Sequence, residues 1–300
     1  MCNRPRTSPD SRSRARRNLF VAACLTATAL PASAPEAVAQ WVEPPGRGWM
    51  DVSVFHLDTR DAFHSDGDIR AFDPFTEAHA VSTSVFATVA LGLVPGLDAW
   101  VQVPFQRLRF DDLGGDRLRT GIGDTRFYLR VQPGRYLGSG FPLAIRGGAK
   151  VPVGDFAVDA EIIPLGDGQR DWELVLELGH SFYPVPAYVS AWIGNRWREE
   201  NLESRRDFGD EVFFLLSGGI EFGRLGTSLI AEGWDGGVPV IEGLRVATAS
   251  RSMLRLTPSL SYRLGAGSAK AGVQIPLRGT NLPAGNTLVI GYFVRLGPEA

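Results

Sequence analysis

Between Thr120 and Phe182 the sequence alternates with a period of two. In Thr120–Gln132 the residues Phe127, Leu129 and Val131 share one parity, while Asp124, Arg126, Arg130 and Gln132 share the other. A strand sends successive side chains to opposite faces, so this segment has one apolar and one charged face. Two further segments repeat the pattern. In Phe141–Gly154, Leu143, Ile145, Val151 and Val153 oppose Arg146 and Lys150; in Arg170–Phe182, Leu174, Leu176 and Leu178 oppose Glu173 and Glu177. The alternation continues to the last residues with no helical segment to cover the apolar face. A sheet in that position is expected to close on itself, with lipid outside and water inside.

The 300 residues are 44% hydrophobic with a mean hydropathy of −0.03. Beyond the first forty residues no run of about 18 apolar residues occurs, which argues against a helical membrane protein. A transmembrane barrel passes that test because only every second residue meets lipid. The first 39 residues read as a signal peptide. Arg12, Arg14, Arg16 and Arg17 precede an apolar stretch from Leu19 to Leu30, and Ala37-Val38-Ala39 supplies the small-x-small cleavage pattern. Two other export readings are weaker. Val21-Ala22-Ala23-Cys24 resembles a lipoprotein box, but only Leu19, Phe20 and Val21 would form its apolar core. Arg16-Arg17-Asn18-Leu19-Phe20 resembles a twin-arginine signal, a route for folded cargo that suits a barrel poorly. The expected domains are therefore a signal peptide, 1–39, and one barrel, 40–300. Both cysteines, Cys2 and Cys24, fall in the signal, so disulfide, thiolate and Cys–metal chemistry are excluded from the mature chain. The whole chain has 31 basic and 33 acidic residues; without the signal's six arginines and two acids, 25 and 31 remain, a formal charge of −6. That balance, with no basic patch, argues against nucleic acid as a partner.

The segmentation gives about twelve strands: 48–58, 79–94, 97–110, 120–132, 141–153, 170–182, 187–198, 207–222, 225–235, 253–264, 269–277 and 287–296. Residues 40–47 are expected to form a short periplasmic tail. Connections after odd-numbered strands are long and those after even-numbered ones short, as an up-and-down outer-membrane barrel with periplasmic termini requires. In the third strand Asp98, Trp100, Gln102 and Gln106 oppose Ala99, Val101, Val103 and Phe105. The parity inverts at Arg107-Leu108-Arg109-Phe110, which reads as a bulge beside Pro104. Pro152 and Pro276 read as strand ends near the outer rim.

Parity also assigns faces. In the tenth strand Leu254, Leu256, Leu260, Tyr262 and Leu264 oppose Arg255, Thr257, Ser259, Ser261 and Arg263; in the last, Leu288, Ile290, Tyr292, Val294 and Leu296 oppose Thr287, Gly291 and Arg295. An unpaired Arg or Lys on the lipid face at mid-membrane costs about 2–4 kcal/mol, so the charged parity is the interior. The expected lumen-lining set holds Asp124, Glu173, Glu177, Glu211 and Glu221 against Arg126, Arg130, Arg146, Lys150, Arg255, Arg263 and Arg295. These charges either fill a narrow barrel with ion pairs or line a water-filled path and set its selectivity.

Three motifs occur in order: Gly121-Ile122-Gly123-Asp124, Lys150-Val151-Pro152-Val153-Gly154-Asp155, and Ile163-Pro164-Leu165-Gly166-Asp167-Gly168-Gln169-Arg170-Asp171. Their order and spacing resemble the GxGD, K-x-P-x-G-D and P-x-G-x-G-x-x-D pattern of the MetA-pathway of phenol degradation family of outer-membrane β-barrel proteins. The resemblance covers most of the mature chain, best over 97–195. It implies a channel or transporter for passive passage of small organic solutes, often aromatic or hydrophobic, and brings no catalytic residues. The alternative is a non-conducting structural or adhesion barrel with a plugged lumen and working outer loops. Expected partners are outer-membrane lipid, a small organic solute and the barrel-assembly machinery. That machinery usually reads a terminal aromatic residue, whereas this chain runs past Phe293 to Gly297-Pro298-Glu299-Ala300.

An enzyme is not expected. His180 and Ser181 are adjacent and so face opposite ways, and no G-x-S-x-G elbow accompanies them. His180 shares the leucine parity and reads as interfacial. Asp66-Gly67-Asp68 with Asp73, and Asp155 with Asp159 and Asp167, do not follow the twelve-residue calcium-loop pattern and read as turn acids. No metal or cofactor is expected.

Overall fold

The computed structural model describes residues 42–297, apart from 74, 76, 139–140 and 154–163. The expected signal peptide, Asp155, Asp159 and the last three residues lie outside the described residues. Thirteen strands form the main sheet. Two of them, Gly115–Ile122 and Thr125–Val131, both pair with Leu97–Asp112 and are halves of one wall strand broken at Gly123-Asp124. The wall therefore has twelve strands: β1 Gly48–Thr59, β2 His79–Val94, β3 Leu97–Asp112, β4 Gly115–Ile122 with Thr125–Val131, β5 Leu143–Val151, β6 Asp171–Ser181, β7 Ala187–Arg198, β8 Glu211–Phe222, β9 Leu225–Gly236, β10 Ser252–Leu264, β11 Gly267–Thr280 and β12 Thr287–Leu296. Every neighbour is antiparallel. β1 closes the ring on β12 in unbroken register from Gly48↔Leu296 to Leu57↔Thr287. Closure removes both sheet edges, the condition for a sheet in hydrocarbon.

The faces follow the parity of the sequence. Leu129, Leu176 and Ile290 are 56%, 45% and 53% exposed, whereas Arg130 and Glu177 are 4% and 1% exposed. Leucine outside and ion pairs inside invert the arrangement of a water-soluble protein, and suit a wall bathed in lipid. The periplasmic turns are short. One carries the single-turn helix α1 (Pro133–Leu137), whose Tyr136 hydroxyl donates to Pro95 O of the neighbouring turn at 2.8 Å.

Three expectations change. Residues 42–47 do not form a free tail. Val42 is buried, Glu43 N donates to the lumen carboxylate of Asp98 at 2.9 Å, and Pro45 bridges Gly92 of β2. The register of β3 on β2 runs unbroken through Pro104↔Phe86, and the bulge beside Pro104 lies in β4 instead: Gln102↔Arg126 gives way to Phe105↔Ile122, so residues 123–125 oppose only 103–104. The sequence inverts because the environment does. Outward residues Val101 and Phe105 meet lipid, but two residues further the β3–β4 hairpin has left the hydrocarbon. There Arg107 and Arg109 face outward, while Phe110 turns in against Phe72 of the first outer loop. Pro276 lies inside β11 rather than at its end. It pairs with Arg255 where the register shifts, a bulge that tolerates the missing N–H.

Small sheets dress the outer end. Asp61–Phe63, Ile69–Ala71 and Leu282–Ala284 form one, and Arg206–Asp207, Val240–Ile241 and Leu244–Arg245 form another. Phe63 is buried against Gly279, and Thr59 Oγ1 bonds Ala284 O, which ties the first and last outer loops together.

Candidate functional site

The interior has two ionic layers and a cavity. Nearer the periplasm, the fully buried Asp98 (β3) accepts from Arg130 (β4) at 2.6 Å and from the Trp100 indole at 3.0 Å. Glu177 (β6) accepts from Arg146 (β5) at 2.5 Å and from Arg130 at 3.4 Å. The Arg146 guanidinium also lies over three rings, Trp100, Tyr128 and Trp192, at 5.0, 4.8 and 4.7 Å. Shared carboxylates and π faces let these cations stay charged out of water. Glu43 sits at the edge of this layer. Burial pushes its carboxyl up in pKa, against the pull of Arg295 and Arg130.

The outer layer gathers charged residues from each of the three motifs on one amine. Lys150 Nζ lies 3.1 Å from Asp124, 2.8 Å from Asp167 and 2.8 Å from Asp171. Asp167 belongs to the loop before β6, and its N–H donates to Asp124 Oδ2 at 3.0 Å. Arg198 (β7) bonds Asp167 at 2.7 Å and Glu211 (β8) at 2.6 Å. Burial alone would raise the Asp167 pKa; Lys150 and Arg198 together outweigh it and hold the carboxyl below its usual range. The motif glycines make room for the same loop. A Cβ on Gly121 would come within 2.7 Å of Leu165, and one on Gly123 within 2.6 Å of Leu165 O.

Between the layers is a cavity of about 790 Å³. An aromatic arc lines it. Trp49 packs edge-on to Trp100 at 4.9 Å and leans on Phe293 at 5.9 Å; Trp100 meets Tyr128 at 6.5 Å, and Trp192, Phe213 and Trp234 continue the arc. Above it runs a polar rung across four strands, Asp51–Thr88–Gln102–Arg126, each residue the direct cross-strand partner of the next. Glu173 accepts from Arg196 at 2.7 Å and from the Tyr128 hydroxyl at 3.0 Å, and Glu232 accepts from Arg255 at 2.6 Å.

Of the residues expected to line the lumen, Arg126, Arg146, Glu173 and Arg255 border the cavity. Arg130 and Glu177 lie in the periplasmic layer, and Asp124 and Lys150 in the outer one. Arg263 is at the periplasmic rim, 3.3 Å from Glu221 with both side chains well exposed, and Arg295 is exposed near Glu43. Arg196, Asp51, Lys270, Trp49, Trp192 and Trp234 also border the cavity, and the sequence did not single them out as lumen residues. Parity carried the signal for Asp98 and Trp100, which share the polar face of β3. His180 faces outward, its ring 4.8 Å from Phe182, and Ser181 takes the opposite face.

No known protein-family profile matches the chain. No curated protein matches it either. Among solved structures, an outer-membrane channel from Pseudomonas putida F1 superimposes with a TM-score of 0.68 over 85% of this chain and 97% of that one, at 15% identity. The fold is that of an outer-membrane β-barrel. The toluene transporter TbuX of Ralstonia pickettii covers 85% of this chain and 90% of its own at 11% identity, and the monoaromatic hydrocarbon channel CymD covers 86% and 90% at 8% identity. Both have TM-scores of 0.43, so the first superposition alone supports the fold.

Proposed function

We propose that this barrel is a passive outer-membrane channel or transporter for small organic solutes, aromatic or hydrophobic ones included, and a member of the MetA-pathway of phenol degradation family. The observation that carries the proposal is the cavity. A barrel whose interior served only stability would be packed shut, yet about 790 Å³ remains between the two ionic layers. Pockets of roughly 300–1,000 Å³ with apolar walls and a few placed polar groups are the usual form of small-molecule sites. The motifs fit this role through structure, not catalysis: Asp124, Asp167 and Asp171 converge on Lys150 and pin the inner end of a loop beside the cavity.

A second reading, a closed structural barrel, is favoured by one feature. The Asp98–Arg130–Glu177–Arg146 layer and the docked 42–47 segment fill the periplasmic side beneath the cavity. Planar-bilayer conductance and liposome swelling separate the two. The channel reading expects discrete conductance steps and swelling in small solutes; a folded, inserted barrel that passes neither ions nor solutes supports the closed one.

A further inference from the structure

We propose that the cavity takes small aromatic carboxylates, with the ring on the tryptophan arc and the carboxylate between Arg126 and Lys270. This names a solute class for the channel reading above and rests on it for the cavity's use in transport.

The cations divide into two sets. Arg146, Arg196 and Arg255 are held by Glu177, by Glu173 and Glu211, and by Glu232. Arg126 and Lys270 also border the cavity, and among the described residues neither has a carboxylate within 4 Å. Packing does not account for this. A lumen cation meant only to fill space gains from a counter-ion, and its neighbours on the wall have them.

The two are set opposite each other. From β4 the ring runs through β3, β2, β1 and β12 to β11, so Arg126 and Lys270 stand five strands apart in a ring of twelve. Lys270 is flanked by Ser261 and Gly291, small cross-strand partners that leave its ammonium open to the lumen. The hydrogen-bonding of the wall points the same way. Trp192 adds an indole N–H that finds no acceptor among the described residues. The one lining carboxylate without a cation, Asp51, already accepts from the Ser53 hydroxyl at 2.6 Å. The wall therefore offers more open donors than acceptors. A ligand that brings two on a flat apolar body supplies them, and that description is an aromatic carboxylate.

Binding can be read without transport. Four of the seven tryptophans, Trp49, Trp100, Trp192 and Trp234, line the cavity, so emission from the detergent-folded barrel reports its occupancy. Benzoate at pH 8 is expected to change it saturably and about tenfold more tightly than benzamide, its uncharged isostere. R126Q/K270Q should remove that preference, bringing benzoate down to the affinity of benzamide; K270R should keep it. In the unmodified protein, added chloride should weaken benzoate and not benzamide. Equal affinities for the two, a preference that survives in R126Q/K270Q, or no saturable response to benzoate would overturn the proposal. Tight benzoate binding by a barrel that conducts nothing would instead sink the channel reading and leave the site standing.

Discussion

Lys150 shows how one residue ties three separate motifs together. It is 2% exposed and its amine is shared by Asp124, Asp167 and Asp171. Lys150→Met should leave those carboxylates without their common counter-ion, and removing one partner of a buried ionic group typically costs about 3–5 kcal/mol. Urea unfolding in lipid should show that loss. A change under about 1 kcal/mol, the scale of a surface pair, would mean Lys150 does not hold the cluster. Sequence parity alone places Asp124 and Lys150 on the inner face, since a charge at mid-membrane must turn inward. Their meeting is not legible in the same pattern. Parity gives a residue's face but not its height, and height comes from the shear of a closed ring. The tryptophans were hidden for another reason: an aromatic residue suits lipid, interface or lumen, so Trp49 and Trp192 carry little facing information of their own.

At the scale of the element, strands were legible and loops were not. Ten-residue alternations separated by turn residues located all twelve wall strands, with ends off by a few residues. The misread stretch, Arg107–Phe110, follows from assuming that lipid lies outside along the whole length of a strand. β3 outlasts the hydrocarbon, and beyond it charge belongs outside and apolar residues belong against the loops. The loop before β6 has a testable fastening. Asp167 is held below its ordinary value of 3.8 by Lys150 and Arg198. A depressed carboxyl contributes stability above its ordinary pKa and loses it only as pH falls through the lowered one. Asp167→Asn should therefore cost the same stability to urea at pH 7.5 as at pH 4.5. A cost that disappears near pH 5 would show that the loop is not fastened this way.

For the whole molecule, what the alternation established is a closed wall with its interior reversed relative to a soluble protein. It could not show that residues 42–47 dock beneath the lumen or that a cavity survives between two ionic layers, because both depend on volumes that parity does not encode. β8 offers the sharpest check on the facing. Its segment Val212–Ser217 reads apolar on both faces, so only its pairing in the ring turns Val212, Phe214 and Leu216 outward and Phe213, Leu215 and Ser217 inward. Both cysteines of the chain, Cys2 and Cys24, precede residue 40, so nitroxides can be placed singly at these six positions in a chain beginning at Gln40. In bilayers, oxygen, which concentrates in lipid, should relax the labels at 212, 214 and 216 strongly and those at 213, 215 and 217 weakly. Equal relaxation at all six, or the opposite alternation, would contradict a barrel that faces hydrocarbon.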